Sequence, residues 1–287
     1  MSAARPAVRF LLPFLAIAAH AEEPQGDAAI IRRGLPELPA LLARIDDSDA
    51  HTRMRARHLA TRIVLDHYTR IAPAGMRLVY GPTRITSRGV HLDGGFYLSA
   101  REITRAEFVA FAKATKRSRD RWADGEPDLP VTWVTQIDAA AYAEWKGARL
   151  PTLEELSNAA TSFGRFPYPW GRRFDARCLN SREGGRGGEV PPGSCKRGRS
   201  PAGIDDLLGN VSEWTTTVTG SARRMRVFGG SYRDRADGRR APFAVTRMAA
   251  TARSAQVGFR LALSLPRLPT EPPRAPASDS DSGKSRR

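Results

Sequence analysis

Gly209-Asn210-Val211-Ser212-Glu213-Trp214 is the stretch whose reading decides the fold. It reads as a turn closed by a tryptophan, a large apolar body that can pin an irregular loop while its indole N–H finds a carbonyl. The same reading applies to Trp133, Trp145 and Trp170 in Pro130-Val-Thr-Trp133, Ala139–Trp145 and Tyr168-Pro-Trp170-Gly171. Downstream, Val227-Phe-Gly229-Gly230-Ser-Tyr232 offers two glycines for a tight backbone approach closed to other residues. Arg149, in Gly147-Ala-Arg-Leu-Pro-Thr152, and Arg260, in Gly258-Phe-Arg260, present forked donors suited to loop carbonyls. These residues read as determinants of an irregular, loop-rich α+β fold rather than as chemistry.

Around them the chain shows few long helices. One is expected from about Thr104 to Lys116 with Phe108, Val109, Phe111 and Ala112 inward, and a second from Gln136 to Lys146 with Ile137, Ala140, Ala141 and Trp145 inward. A third starts at Thr152, where Thr152-Leu-Glu-Glu155 is a capping box. Short strands are expected at Met225–Phe228 and Val257–Leu263. Before this main domain, residues 22–29 read as a linker. Leu38, Leu41, Leu42 and Ile45 then fall on one helical face, and Asp46 to Asp49 give a turn and an N-cap. A second run carries Met54, Leu59, Ile63, Leu65 and Tyr68. Residues 22–72 therefore read as a helical hairpin, similar to one HEAT-type unit. A solitary unit cannot bury its own face, so it should dock on the main domain or a partner. His51, His58 and His67 do not share a face, which argues against a metal site there. Residues 264–287, with five prolines and no apolar periodicity, read as a disordered tail.

Residues 1–21 read as a secretory signal peptide: Arg5 and Arg9, an apolar run from Phe10 to Ala19, and the small-x-small site Ala19-His-Ala21. No other apolar stretch is long enough to span a membrane, so the expectation is an exported chain, periplasmic or secreted, with no transmembrane segment after cleavage. The formal charge of +16 would suggest nucleic acid. Export and the heavy preference for arginine over lysine weaken that reading, leaving an anionic surface, an acidic partner or simply solvated arginines. Cys178 and Cys195 are the two cysteines, and in an oxidising compartment an isolated pair is read first as a disulfide. A bridge closing that glycine-rich loop would contribute roughly 3 kcal/mol.

In this order, from Phe96-Tyr-Leu-Ser-Ala-Arg-Glu102-Ile-Thr104 through Gly258-Phe-Arg260, the motifs resemble the sulfatase-modifying-factor (formylglycine-generating enzyme) family, over residues 73–263. The resemblance implies a C-type-lectin-like fold. It also implies a Cu(I) site of paired thiolates at which O₂ oxidises a protein cysteine, and places Phe243 and Met248 at those two positions. Copper is therefore not expected, and neither is the iron-binding His triad of some relatives. Calcium is the cofactor the resemblance does imply, held by Glu102, Asp206 and Glu213 with the carbonyls of Gly209 and Val211. The competing reading has Glu213 and Asp206 capping turn amides. The functional expectation is a non-catalytic exported protein that binds a protein or glycan partner. The alternative is a copper-dependent oxidoreductase of the formylglycine-generating type.

Overall fold

The structure, a computed structural model, describes residues 25–118, 120–220, 224–236 and 245–268. The expected signal peptide, Phe243 and the chain beyond 268 lie outside the described residues.

Three helices open the described chain. α1 (Gln25–Arg33) occupies most of what reads as linker; it is held by Asp27, whose carboxylate accepts from Arg55 at 2.9 Å. That partner is distant in sequence, so local pattern gives no sign of it. α2 (Leu38–Leu42) buries Leu38 and Leu42. Asp49 caps α3 (Ala50–Arg70) as expected, accepting from the Thr52 amide at 2.7 Å. The unit is thus three helices rather than a two-helix hairpin. It docks on the main domain, where Leu38, Leu42, Ile45, Ala56, Val64 and Tyr68 share one core with Met76, Tyr97, Phe108 and Phe259.

Two short antiparallel strand pairs come next. β1 (Met76–Val79) pairs with β4 (Phe96–Ser99), and β2 (Thr83–Thr86) with β3 (Gly89–Leu92). α4 (Arg105–Ala114), α5 (Gln136–Trp145) and α6 (Leu153–Thr161) each begin with a reciprocal capping box, at Thr104/Glu107, Thr135/Asp138 and Thr152/Glu155. α5 does not bury the face read from its sequence. Ala139, Tyr142 and Ala143 go inward, while Ile137 and Trp145 stay 55% and 44% exposed. The decisive contacts are tertiary: Tyr142 packs against Phe108, Phe111 and Phe259 at ring separations of 5.3–5.8 Å.

β5 (Ser212–Thr219), β6 (Arg224–Phe228), β7 (Thr246–Met248) and β8 (Val257–Gly258) form a four-stranded sheet in the order β7-β6-β5-β8. β9 (Ala262–Ser264) returns to β4, closing the three-stranded sheet β1-β4-β9. Ser264 is therefore paired with Phe96, and beyond it Leu268 is buried and the Pro266 carbonyl accepts from the Tyr68 hydroxyl at 2.9 Å. The packed fold extends past the expected start of the tail because an apolar residue after the proline finds a place in the core.

Candidate functional site

β5 and β8 run parallel, with Ser212 opposite Val257 and Glu213 opposite Gly258. That register brings the two deciding motifs side by side and sets Arg260, two residues past the strand, against Glu213. The Arg260 Nε donates to both Glu213 carboxylate oxygens at 2.9 and 2.7 Å, and its Nη2 donates to Oε1 at 2.6 Å. The remaining donors reach the carbonyls of Ser99, Asp205 and Asp206 at 3.0–3.3 Å, as expected of a fork of N–H groups among loops. Both side chains are buried. Trp214 is fully buried one residue on, and its indole donates to the Val134 carbonyl at 3.1 Å. Trp170 likewise donates to the Arg173 carbonyl, whereas Trp145 lies on the surface. Arg149 spends its fork mainly on Glu155, at 2.6 and 2.7 Å.

Glu102 is buried beside this pair. The Asn210 amide donates to its two oxygens at 3.2 and 3.0 Å, and the Val211 N–H to Oε1 at 3.4 Å. Burial, reinforced by the charges of Asp206 and Glu213, pushes the Glu102 carboxyl well above the usual carboxylate range. Burial also raises Asp206 and Glu213, the latter against the pull of Arg260. Three carboxyl groups thus gather around a single guanidinium.

The five residues that the family resemblance assigns to calcium are brought into this neighbourhood, but the donor set does not fit an ion. Both Glu213 oxygens face Arg260, and Glu102 faces N–H donors. Among the described residues no group of three or more His, Cys, Asp or Glu side chains is disposed to hold a metal. Asp206 accepts from the Gly193 N–H at 2.5 Å through Oδ2, while its Oδ1 and the Oδ1 of Asn180 are buried without a hydrogen-bond partner among the described residues. Sequence reading assigned Arg260 to carbonyls and missed its main partner. No local sequence signal pointed to that partner, because the β5–β8 register that sets it is tertiary.

Asn210 does more than mark a turn. It stands at φ 58°, and its Oδ1 accepts from Asn180 Nδ2 at 3.0 Å and the Val190 N–H at 2.9 Å. Its Nδ2 also reaches the Val190 carbonyl at 3.1 Å. Gly209 precedes it at φ 81°, where a Cβ would lie 2.5 Å from the Asn180 carbonyl. The hub therefore fastens the glycine-rich loop between Cys178 and Cys195. The two cysteines sit in short 3₁₀ turns at the ends of that loop, Ala176–Cys178 and the turn that Cys195 precedes, Lys196–Gly198. Both cysteines are free and buried in this structure, and burial raises both thiols above the usual thiol range. Met248 lies on the edge strand β7, partly buried against the core.

Short sheets, capped helices and a long loop fastened by Asn210 define a C-type-lectin-like domain preceded by a helical unit. The chain belongs to the sulfatase-modifying factor enzyme 1-like domain family, which residues 69–265 match. Inactive C-alpha-formylglycine-generating enzyme 2 of Mus musculus is 40% identical over 155 residues, covering 48% of this chain and 50% of that protein. The chain thus spans about half the length of this relative. Hercynine oxygenase of Mycolicibacterium thermoresistibile is 39% identical over 98 residues, 33% of this chain and 22% of that one. Among solved structures, CarF superimposes with a TM-score of 0.52 over 68% of this chain and 99% of its own, at 21% identity, a likeness of fold alone. No described helix is long and apolar enough to cross a membrane.

Proposed function

We propose that this chain is an exported, non-catalytic member of its family that binds a protein or glycan partner. The observation that carries the reading is where its sulfur lies. Cu(I) chemistry of the family's kind needs paired soft thiolates. The positions that the resemblance gives them hold Phe243 and Met248, and one thioether does not replace two thiolates. The chain's two cysteines instead flank the pinned loop, in 3₁₀ turns off β7. A relative whose name begins "Inactive" is consistent with this. The N-terminal Arg-flanked apolar run supports export, and in an oxidising compartment Cys178 and Cys195, whose turns touch, would join.

Copper titration with an oxygen electrode and a cysteine-containing peptide tests the catalytic half. The expected outcome is weak copper binding and no oxygen uptake. Tight Cu(I) binding with peptide oxidation would establish the oxidoreductase instead. Intact mass of the exported protein is expected to show a chain beginning at Glu22, and non-reducing peptide mapping one Cys178–Cys195 link. Retention of Met1, or two freely alkylated thiols, would remove the export or the bridge from the reading.

A further inference from the structure

The loop fastened by Asn210 forms one wall of an open cleft of about 420 Å³ lined by Arg177, Arg186, Ser194, Cys195, Lys196 and Arg197. Four of these six are cations, and their charges are unequally spent. Arg177 is held by Asp175, with Nε and Nη2 donating at 2.8–3.2 Å. Arg186, Lys196 and Arg197 are exposed and have no contact ion pair among the described residues, although Arg186 lies within electrostatic reach of Asp206 and Arg197 of Asp175. The nearby acids are otherwise engaged. Glu189 faces Arg105, Asp205 pairs with Arg199, and Glu183 accepts from the Ala236 amide. Asp206, buried behind Gly193, turns one oxygen to that backbone N–H.

Like charges gathered without contact ion pairs raise the energy of a folded surface unless something is gained by it. Here they are also held in place. Asn180 donates to the Gly188 carbonyl, Asn210 brackets Val190 and Asp206 holds Gly193, so Arg186 is carried on a loop tied to the core at three points. Lys196 and Arg197 stand on a 3₁₀ turn packed directly on the Cys178 backbone. An anchored backbone leaves only side-chain freedom to be lost on binding.

We infer that this cleft binds a doubly charged oxyanion ester, a phosphate monoester on a sugar-sized group. Three cations without contact ion pairs match a dianion better than a carboxylate, and guanidinium forks suit tetrahedral oxyanions. The volume lies within the roughly 300–1,000 Å³ of small-molecule sites, large for a bare ion. The inference goes beyond the non-catalytic reading and does not depend on it, because an oxidase built on this scaffold would carry the same cleft.

The test is calorimetry on the full exported chain with glucose 6-phosphate, glucose 6-sulfate, inorganic phosphate and glucose. Glucose 6-phosphate is expected to bind, glucose 6-sulfate with its single charge to bind more weakly, glucose not to bind, and affinity for the phosphate ester to fall at least about tenfold between about 50 and 200 mM salt. Equal binding of the two esters would overturn the selection of a dianion. A triple variant Arg186→Gln, Lys196→Gln, Arg197→Gln is expected to lose ester binding while keeping the wild-type melting temperature. A control triple of equal charge change, Arg44→Gln, Arg88→Gln, Lys116→Gln, is expected to keep it. Equal losses in both triples would reduce the effect to net charge, and no ester binding in the wild type would overturn the site. Inorganic phosphate binding as tightly as its ester would remove the sugar-sized group from the inference.

Discussion

Truncating Glu213 strands a guanidinium in the interior. Arg260 would keep three backbone carbonyls but lose the carboxylate that, among the described residues, is its ion-pair partner. Breaking a buried pair in this way costs about 3–5 kcal/mol, so Glu213→Ala is expected to melt far below wild type. Chelated and calcium-loaded wild type are expected to melt alike, since the ion's place among these oxygens is taken by the guanidinium. A calcium-dependent rise in wild type that vanishes in Glu213→Ala would restore the ion-binding reading. Glu102 gives a second residue-scale prediction, with the opposite sense to an ordinary salt-bridged acid. Unfolded, it ionises near the usual carboxylate range; folded, burial keeps it protonated to higher pH. Between those two values the native state holds the extra proton, so stability falls as pH rises. Glu102→Gln, which cannot ionise, is expected to flatten the decline in melting temperature as pH rises above the usual carboxylate range. Parallel wild-type and variant profiles would show that the proton sits elsewhere.

The helices were legible where their signals are local. Thr152 and Glu155 announce α6 in sequence, and the structure closes both arms of that box, the Glu155 amide donating to Thr152 Oγ1 at 3.0 Å and the Thr152 amide to Glu155 at 2.8 Å. Thr152→Ala is expected to cost about 1 kcal/mol in denaturant unfolding, a loss typical of a missing N-cap. What stayed hidden depends on distant partners. Nothing near Asp27 announces Arg55, and nothing within α5 says that Tyr142 rather than Trp145 meets Phe259. The candidate site shows the same division: its carboxylates could be found by motif, but their neutralisation by Arg260 required the β5–β8 register. The 3₁₀ turns beside the cysteines are also set by tertiary fit. A Cβ on Gly198 would stand 1.8 Å from the Cys178 carbonyl oxygen, so the two turns must separate to admit alanine. Gly198→Ala is expected to destabilise by about 1–3 kcal/mol, as overpacking does. An unchanged unfolding midpoint would mean that the turns are loosely apposed.

Across the whole molecule, the N-terminal helices and the sheet domain share one hydrophobic core. The sequence predicts docking because a lone helical unit cannot cover its apolar face, and the structure shows what covers it. Leu38, Leu42, Ile45, Ala56, Ala60 and Val64 enter the same core as Met76, Val90 and Tyr97. Two buried or half-buried phenols stitch the join: Tyr97 donates to the Tyr68 carbonyl at 2.7 Å, and Tyr68 donates to the Pro266 carbonyl at 2.9 Å. Residues near the last strand are thereby tied through α3 to β4. Deleting residues 25–72 would uncover the apolar faces of Met76, Val90 and Tyr97 and remove an acceptor from a buried hydroxyl. Each fully buried apolar side chain returned to water costs about 1.5–3 kcal/mol, and a whole domain has only about 5–15 kcal/mol in reserve. The truncated chain is expected to aggregate, or to melt well below the full chain with added dye-binding apolar surface. Tyr97→Phe gives a graded form of the same test: it removes one buried hydrogen bond and should cost about 1–2 kcal/mol without unfolding the protein. A truncated domain that stays monomeric and melts with the full-length chain would show the helices to be an appendage, with a sheet-domain core sufficient without them.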